Sequence, residues 1–319
     1  MSAMKRGRAI AVVAGLACAS AAVHAQRAPQ PVPMDVLKVR GQVHLIAGAA
    51  SNAVVQIGEQ GVLVVDTMRE QDADALLAEI RKLAGNKPIR YVVNTHAHLD
   101  HLGGNAKISE AGTQLVGGNF GGQVQGDHAF IFAHERVLAA VSAKTGGTPA
   151  LPFAGWPTDT FFQSEKDLYF NGEGIQLIYE PNAHTDGDVL VWFRGSDVIA
   201  TGDVFDTTRM PEIDLKRGGH VNGVIEALNR IIDVAISEQF TEGGTRIVPG
   251  NGRICDEFEV VEYRDMVTIV RDRVQAMIKK GMSLQQVQAT RPAFEYIPRY
   301  GAASAAAFVE AAYKNLGGR

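Results

Sequence analysis

Four side chains of metal-binding type fall within six residues in the run His96-Ala97-His98-Leu99-Asp100-His101. A lone histidine is ordinarily a hydrogen-bonded core or surface residue. A cluster this dense of imidazole and carboxylate is best satisfied by a cation such as Zn²⁺. The apolar run Ile89 to Val93 leads straight into it and reads as a strand. If the chain stays extended past the strand, His96 and His98, two residues apart, point to one side. Asp100 and His101 then lie on the turn, and Gly103-Gly104 lets the chain bend into a helix.

The rest of the chain is organised to carry that turn. Short apolar runs at Val43 to Ile46, Ala53 to Ile57 and Val62 to Val65 predict antiparallel strands. Helical spacing covers Gln71 to Leu83, with Gly85 as its stop, and a further helix starts near Gly104. A strand is expected at Gln114 to Val116, a loop over Gly117 to Asp127, a helix over Ala133 to Lys144, and a loop over Leu151 to Thr158. A second group of strands covers residues 168–170, 174–179, 189–193, 198–201 and 246–248, with a helix at Val221 to Ile236 ahead of the last. Helices then cover Glu257 to Lys280, the stretch from Ser283, and Ala302 to Leu316. Strands then helices, twice over without a linker, predict an α+β four-layer αββα sandwich.

Residues Thr95 to His101 resemble the His-x-His-x-Asp-His signature of the metallo-β-lactamase superfamily. The likeness extends over roughly residues 36 to 255. Val64-Val65-Asp66-Thr67 is similar to the family's early strand ending in Asp, and Ala183-His184-Thr185-Asp186-Gly187-Asp188 to its third-histidine motif. Thr201-Gly202-Asp203-Val204-Phe205 is similar to its bridging-aspartate motif. The resemblance implies an αββα fold and one Zn²⁺ held by His96, His98 and His184. It implies a second metal held by Asp100 and His101, with Asp203 bridging and Asp66 orienting the cluster by hydrogen bonds. Val248-Pro249-Gly250-Asn251-Gly252 departs from the pattern, because Asn251 stands where the family has a histidine. An amide oxygen is a weaker zinc ligand than an imidazole, so the second metal position is weakened. Another histidine reaching in (His220, His128 or His134) is one way to complete it.

The implied chemistry is hydrolysis. Zinc lowers the pKa of bound water to about 7, and the resulting hydroxide attacks an acyl centre of an ester, thioester, lactone or amide-type substrate. Asp100 is the catalytic carboxylate that orients the nucleophile or takes its proton. β-Lactam hydrolysis is the alternative, and a non-catalytic metal-dependent binding or maturation role is another. Phe120, Phe130, Trp156 and Arg209, in or near loops, are candidates to wall the substrate pocket. The Gly117-Gly118 and Gly121-Gly122 pairs lack the pattern and Lys-Ser/Thr ending of a phosphate loop.

Residues 1–25 read as a signal peptide: Lys5, Arg6 and Arg8, then an Ala-rich apolar stretch, then Val23-His24-Ala25 as a cleavage site. A retained anchor, or lipoprotein processing at Cys18, are the alternatives. Residues 26–35 form a Pro-containing flexible lead-in, and residues 36–319 form the hydrolase domain, with C-terminal helices from about residue 255. The expected location is periplasmic or secreted. Cleavage takes the formal charge from −4 to −7, which argues against nucleic acid as a partner. It leaves Cys255 as the remaining cysteine, so no internal disulfide can form. The expected partner is a small-molecule substrate, with no membrane contact after cleavage. No feature of the chain specifies an oligomeric state.

Overall fold

Both faces of the predicted strands are apolar, and the chain buries both. A computed structural model describes residues 33–117, 123–145, 148–240 and 242–317. The signal segment, most of the lead-in and Phe120 lie outside the described residues. The first half supplies strands β1 (Asp35–Arg40), β2 (Val43–Ala47), β3 (Asn52–Ile57), β4 (Val62–Val65) and β5 (Ile89–Val93). It continues with β6 (Gln114–Gly117), β7 (Gln123–Gly126), β8 (Phe130–His134), the short pair β9 (Lys144–Thr145) and β10 (Thr148–Pro149), and β11 (Asp159–Phe161). The second half supplies β12 (Glu165–Phe170), β13 (Glu173–Glu180), β14 (Asp188–Phe193), β15 (Val198–Ala200) and β16 (Arg246–Val248).

Among the described residues, one sheet runs β1-β2-β3-β4-β5-β8-β11 and the other β12-β13-β14-β15-β16. Alternate residues of each strand face opposite layers. Leu63, Val65 and Val93 meet Ile175, Leu177, Val191 and Phe193 in a shared core between the two sheets. Val62, Val64 and Val92 point the other way and pack under α1 (Ala73–Ala84) and α3 (Asn105–Glu110), while Leu102 of the short α2 (Leu99–Leu102) packs with Ala97, Ala133 and Val137. On the far side of the second sheet, Leu190, Ile199 and Ile247 pack against α5 (Val221–Val234), α6 (Glu257–Lys279) and α9 (Ala302–Asn315). Helix α4 (Glu135–Ser142) follows β8, and α7 (Leu284–Thr290) and α8 (Ile297–Tyr300) link α6 to α9. The four layers are those of the αββα sandwich.

The differences from expectation have local causes. The stretch expected to be helical from Ala133 begins as strand β8, because Phe130-Ile131-Phe132 pairs in parallel with β5 and is buried between neighbours. The helix waits until Glu135, where the His134 side chain accepts from the Arg136 N–H and caps it. Strand β7 lies inside the expected loop at 117–127 and pairs with β6. Strand β1, with Leu37, Lys38 and Asp35 exposed or half-exposed, is a polar edge strand with little periodic signal.

This topology sends the polar motifs to one edge. The strand pairs β4/β5 and β15/β16 are parallel. Their C-terminal ends therefore release Asp66, His96, Asp203 and Asn251 on the same side. The Thr95 carbonyl accepts the Val189 N–H at 2.8 Å, and the Gly250 carbonyl accepts the Asn52 N–H at 2.8 Å. These bonds tie the edges of the two sheets together. Behind the third histidine, α5 approaches so closely that a Cβ on Gly223 would sit 1.9 Å from the Asn182 carbonyl oxygen. Gly223→Ala is therefore expected to lower stability by ~1–3 kcal/mol in urea unfolding. At an open helix position the same change stabilises by about 1 kcal/mol, so a measured gain would contradict the packing.

Candidate metal centre

The site begins with one buried carboxylate. Asp66 ends β4 in a left-handed conformation, φ 59°. Its Oδ1 accepts the Thr95 N–H at 2.9 Å, and its Oδ2 accepts the Thr95 hydroxyl at 2.6 Å. The same Oδ2 lies 2.8 Å from His101 Nδ1. A carboxylate only accepts, so His101 carries a proton on Nδ1. The Thr95 hydroxyl has spent its proton on Asp66, so at 3.0 Å it accepts from His96 Nδ1. His96 Nε2 is then bare, and it is buried without a partner.

The same logic applies to the other pair. His184 Nδ1 lies 2.7 Å from the Glu212 carbonyl, which can only accept. His98 Nε2 lies 3.0 Å from Asp214 Oδ2, again an acceptor. The remaining nitrogens, His184 Nε2 and His98 Nδ1, face each other at 2.9 Å. At that distance the two nitrogens can share a proton or a metal cation. The ligand atoms of His96, His98 and His184 all lie within 4.8 Å of one another, as do those of Asp66, His96 and His101. Three neutral imidazoles, each oriented from behind by a hydrogen bond, are a donor set suited to Zn²⁺.

Charge is distributed unevenly across the cluster. Burial, with neighbouring imidazoles, holds His96 well below the ordinary histidine range. Burial also disfavours a charged His101, but the Asp203 and Asp66 carboxylates outweigh it and hold that imidazole well above the range. Asp203 is buried, yet the nearby His101 keeps its carboxyl well below the usual carboxylate range. His101 Nε2 lies 3.1 Å from Asp203 Oδ1.

The other expected site residues are placed differently. Asp203 and Asp100 belong to neither convergent set of ligand atoms. Asp203 Oδ1 accepts from Asn251 Nδ2 at 3.2 Å, and its Oδ2 from Arg209 Nη2 at 3.1 Å. Asp100 lines an open pocket of about 590 Å³ with Arg69, Leu99, Leu151 and Pro152. Phe130, half-buried, stacks on Tyr91 against the core between the sheets, because β8 is an interior strand. Trp156 donates its indole N–H to the Leu151 carbonyl and packs beside Ala97, Leu102 and Val137, so its polar edge is spent. Arg209 is paired with Asp203, Asp206 and Glu212.

Among the described residues, none of the three candidate histidines completes the second position. His220 caps α5 by accepting from Asn222 N, and His134 stacks flat on Tyr179 with ring centroids 3.6 Å apart. His128 lines a separate pocket with Ser109, Leu138 and Trp156. Sequence reasoning missed Asp214 and the Glu212 carbonyl, which orient His98 and His184. Both lie in an irregular loop whose residues carry no periodic or motif signal.

The family model described as the Metallo-beta-lactamase superfamily matches residues 47–241. A metallo-beta-lactamase type 2 from Bacillus sp. (strain 170) is 22% identical over 221 residues, which is 68% of this chain and 72% of that protein. Among solved structures, the stereoselective inverting sec-alkylsulfatase Pisa1 from Pseudomonas sp. superposes with a TM-score of 0.64 at 15% identity. That match covers 89% of this chain and 50% of the sulfatase, so the chain spans about half of its length. A metallo-beta-lactamase from Pontibacter korlensis superposes with a TM-score of 0.56 at 16% identity, over 74% of this chain and 99% of that one. The structural likenesses are likenesses of fold.

Asp214→Ala removes the acceptor that fixes the His98 tautomer. Zinc affinity, read by competition with a chromophoric chelator, is expected to fall about 10–100-fold with the far-UV circular dichroism unchanged. An unaltered affinity would show that His98 needs no orienting partner.

Proposed function

The chain belongs to the metallo-beta-lactamase superfamily, and from that premise we propose that it is a zinc-dependent hydrolase acting at the acyl carbon of a small ester, thioester or lactone. The observation that carries the reading is the convergence of three bare imidazole nitrogens, on His96, His98 and His184, whose opposite nitrogens are spent on Thr95, Asp214 and Glu212. Zn²⁺ held there supplies Lewis acidity and lowers the pKa of water to about 7.

The chain's own residues do the rest. Thr95, Asp66, Asp214 and the Glu212 carbonyl lock the rings before any ligand arrives, so little reorganisation accompanies binding. Asp100, between His98 and His101 in the chain, offers a half-buried carboxylate to the pocket and takes the proton of the attacking water. Leu99, 47% exposed, shares that pocket with Leu151 and Pro152 and gives an acyl body an apolar wall. Arg69 lines the same pocket beside Glu70, its guanidinium paired with Asp72 at 2.6 Å. A β-lactam is likewise an acyl substrate. The likeness to the Bacillus enzyme favours it as the second reading. The basic and then apolar residues 1–25 support export to the periplasm or beyond. No helix among the described residues is long and apolar enough to cross a membrane.

The test is turnover of an ester, thioester and lactone panel beside nitrocefin. Chelation is expected to abolish activity and added Zn²⁺ to restore it. Asp100→Asn is expected to lower kcat by about 100-fold or more with zinc retained. Activity that survives chelation, or a panel with no turnover while the protein holds zinc, would overturn the hydrolase reading. Nitrocefin as the sole substrate turned over would select the second.

A further inference from the structure

The residues at the second metal position do not fit a second ion. Its aspartate, Asp203, has both oxygens engaged: Oδ2 by Arg209 Nη2 at 3.1 Å, and Oδ1 by His101 Nε2 at 3.1 Å and Asn251 Nδ2 at 3.2 Å. In that contact the amide presents a donor, which cannot ligate a cation. The guanidinium is also firmly placed. Arg209 Nε lies 2.7 Å from Asp206 Oδ2, and Nη1 lies 3.6 Å from Glu212 Oε2. Asp206 Oδ1 accepts the Arg209 N–H at 3.2 Å and the Thr208 hydroxyl at 2.7 Å. From helix α6, the Tyr263 hydroxyl donates to the Arg209 carbonyl at 3.0 Å. From helix α9, Ser304 accepts the neighbouring Met210 N–H at 2.7 Å. On the opposite side, a Cβ on Gly250 would lie 2.2 Å from Asp203 Oδ1, so the Asn251 loop presses directly on the carboxylate.

We infer that Arg209 is the resident cation of the second position, and that the centre takes one metal ion. An arginine stays protonated at every working pH and grips carboxylates through a planar fork. It neutralises Asp203 with a fixed charge, repels a divalent ion from the same carboxylate, and keeps a partly exposed edge, 35% accessible, on the site. The substitution at Asn251 and the placement of Arg209 then form one arrangement: an amide donor joins His101 on one oxygen of Asp203, and a guanidinium holds the other. Arg209 is a positioning residue in this scheme. It acts through Asp203.

The inference rests on the zinc reading above, and one experiment separates the two. Metal per chain is measured by elemental analysis after loading with Zn²⁺ and removal of free ion, and by saturation of a Co²⁺ absorbance titration. The wild type, Asn251→His and the double variant Arg209→Met/Asn251→His are compared. The expected occupancies are one, one and two ions per chain. Two ions in the wild type would overturn the inference and leave the zinc reading intact. Two in Asn251→His alone would overturn it too, by making the missing imidazole the whole deficit. One ion in a natively folded double variant would likewise reject it. No ion in the wild type would overturn both readings. If the double variant does not fold, the wild-type and Asn251→His counts still decide.

Discussion

The Asp66 carboxylate is the constraint on which the centre depends. It is 3% exposed and receives three hydrogen bonds, two from Thr95 and one from His101. Those bonds set the tautomer of His101 directly and that of His96 through the Thr95 hydroxyl. They also offset the cost of holding a non-glycine residue in the left-handed region, which is about 1–2 kcal/mol. The strain is local and serves a geometric end: the chain must leave β4 and turn at once under the histidine run. Thr67 N–H, bonded to the His101 carbonyl at 2.6 Å, completes that clamp. An alanine at 66 would free the Thr95 hydroxyl, and two imidazoles would lose their orientation together.

Rigidity of this kind has to be inherited from the layers. Strands β4 and β15, which end at the site, are buried on both faces, so their ends cannot shift without opening a core. The helices after residue 255, which carry no motif, belong to the same scaffold. Tyr263 and Ser304 reach the 203–210 loop, and Phe205 packs edge-on against the Tyr263 ring. The C-terminal helices thus cover the second sheet and also hold the loop that carries Asp203 and Arg209.

What the sequence made legible follows from the kind of signal each residue carries. The layer order could be read because strands buried on both faces are apolar throughout, and the helices keep their spacing. His96, His98 and His184 could be placed because their motifs are dense and ordered. Asp214 could not, because an aspartate in a loop looks the same whether it orients a histidine or faces water. Phe130 and Trp156 were expected at the pocket because aromatic residues near Gly- and Pro-rich segments suit a binding wall. Parallel pairing with β5 drew Phe130 into the core instead, and a backbone carbonyl claimed the indole of Trp156. The start of α4 was obscured for a related reason: Ala133 and His134 suit a helix locally, and sheet pairing overrode that preference.

The site is prepared for a cation. His98 and His184 turn ring nitrogens toward each other at 2.9 Å, and His96 Nε2 is buried with no partner. That unpaired nitrogen costs free energy that an apolar core would avoid, roughly 1–3 kcal/mol. The sandwich can carry that cost because its layers are extensive, and the edge bonds from Thr95 to Val189 and from Asn52 to Gly250 keep the strand ends from spreading to relieve it. The cation therefore need not assemble its own ligands. It meets imidazoles already held in orientation by Thr95, Asp214 and the Glu212 carbonyl.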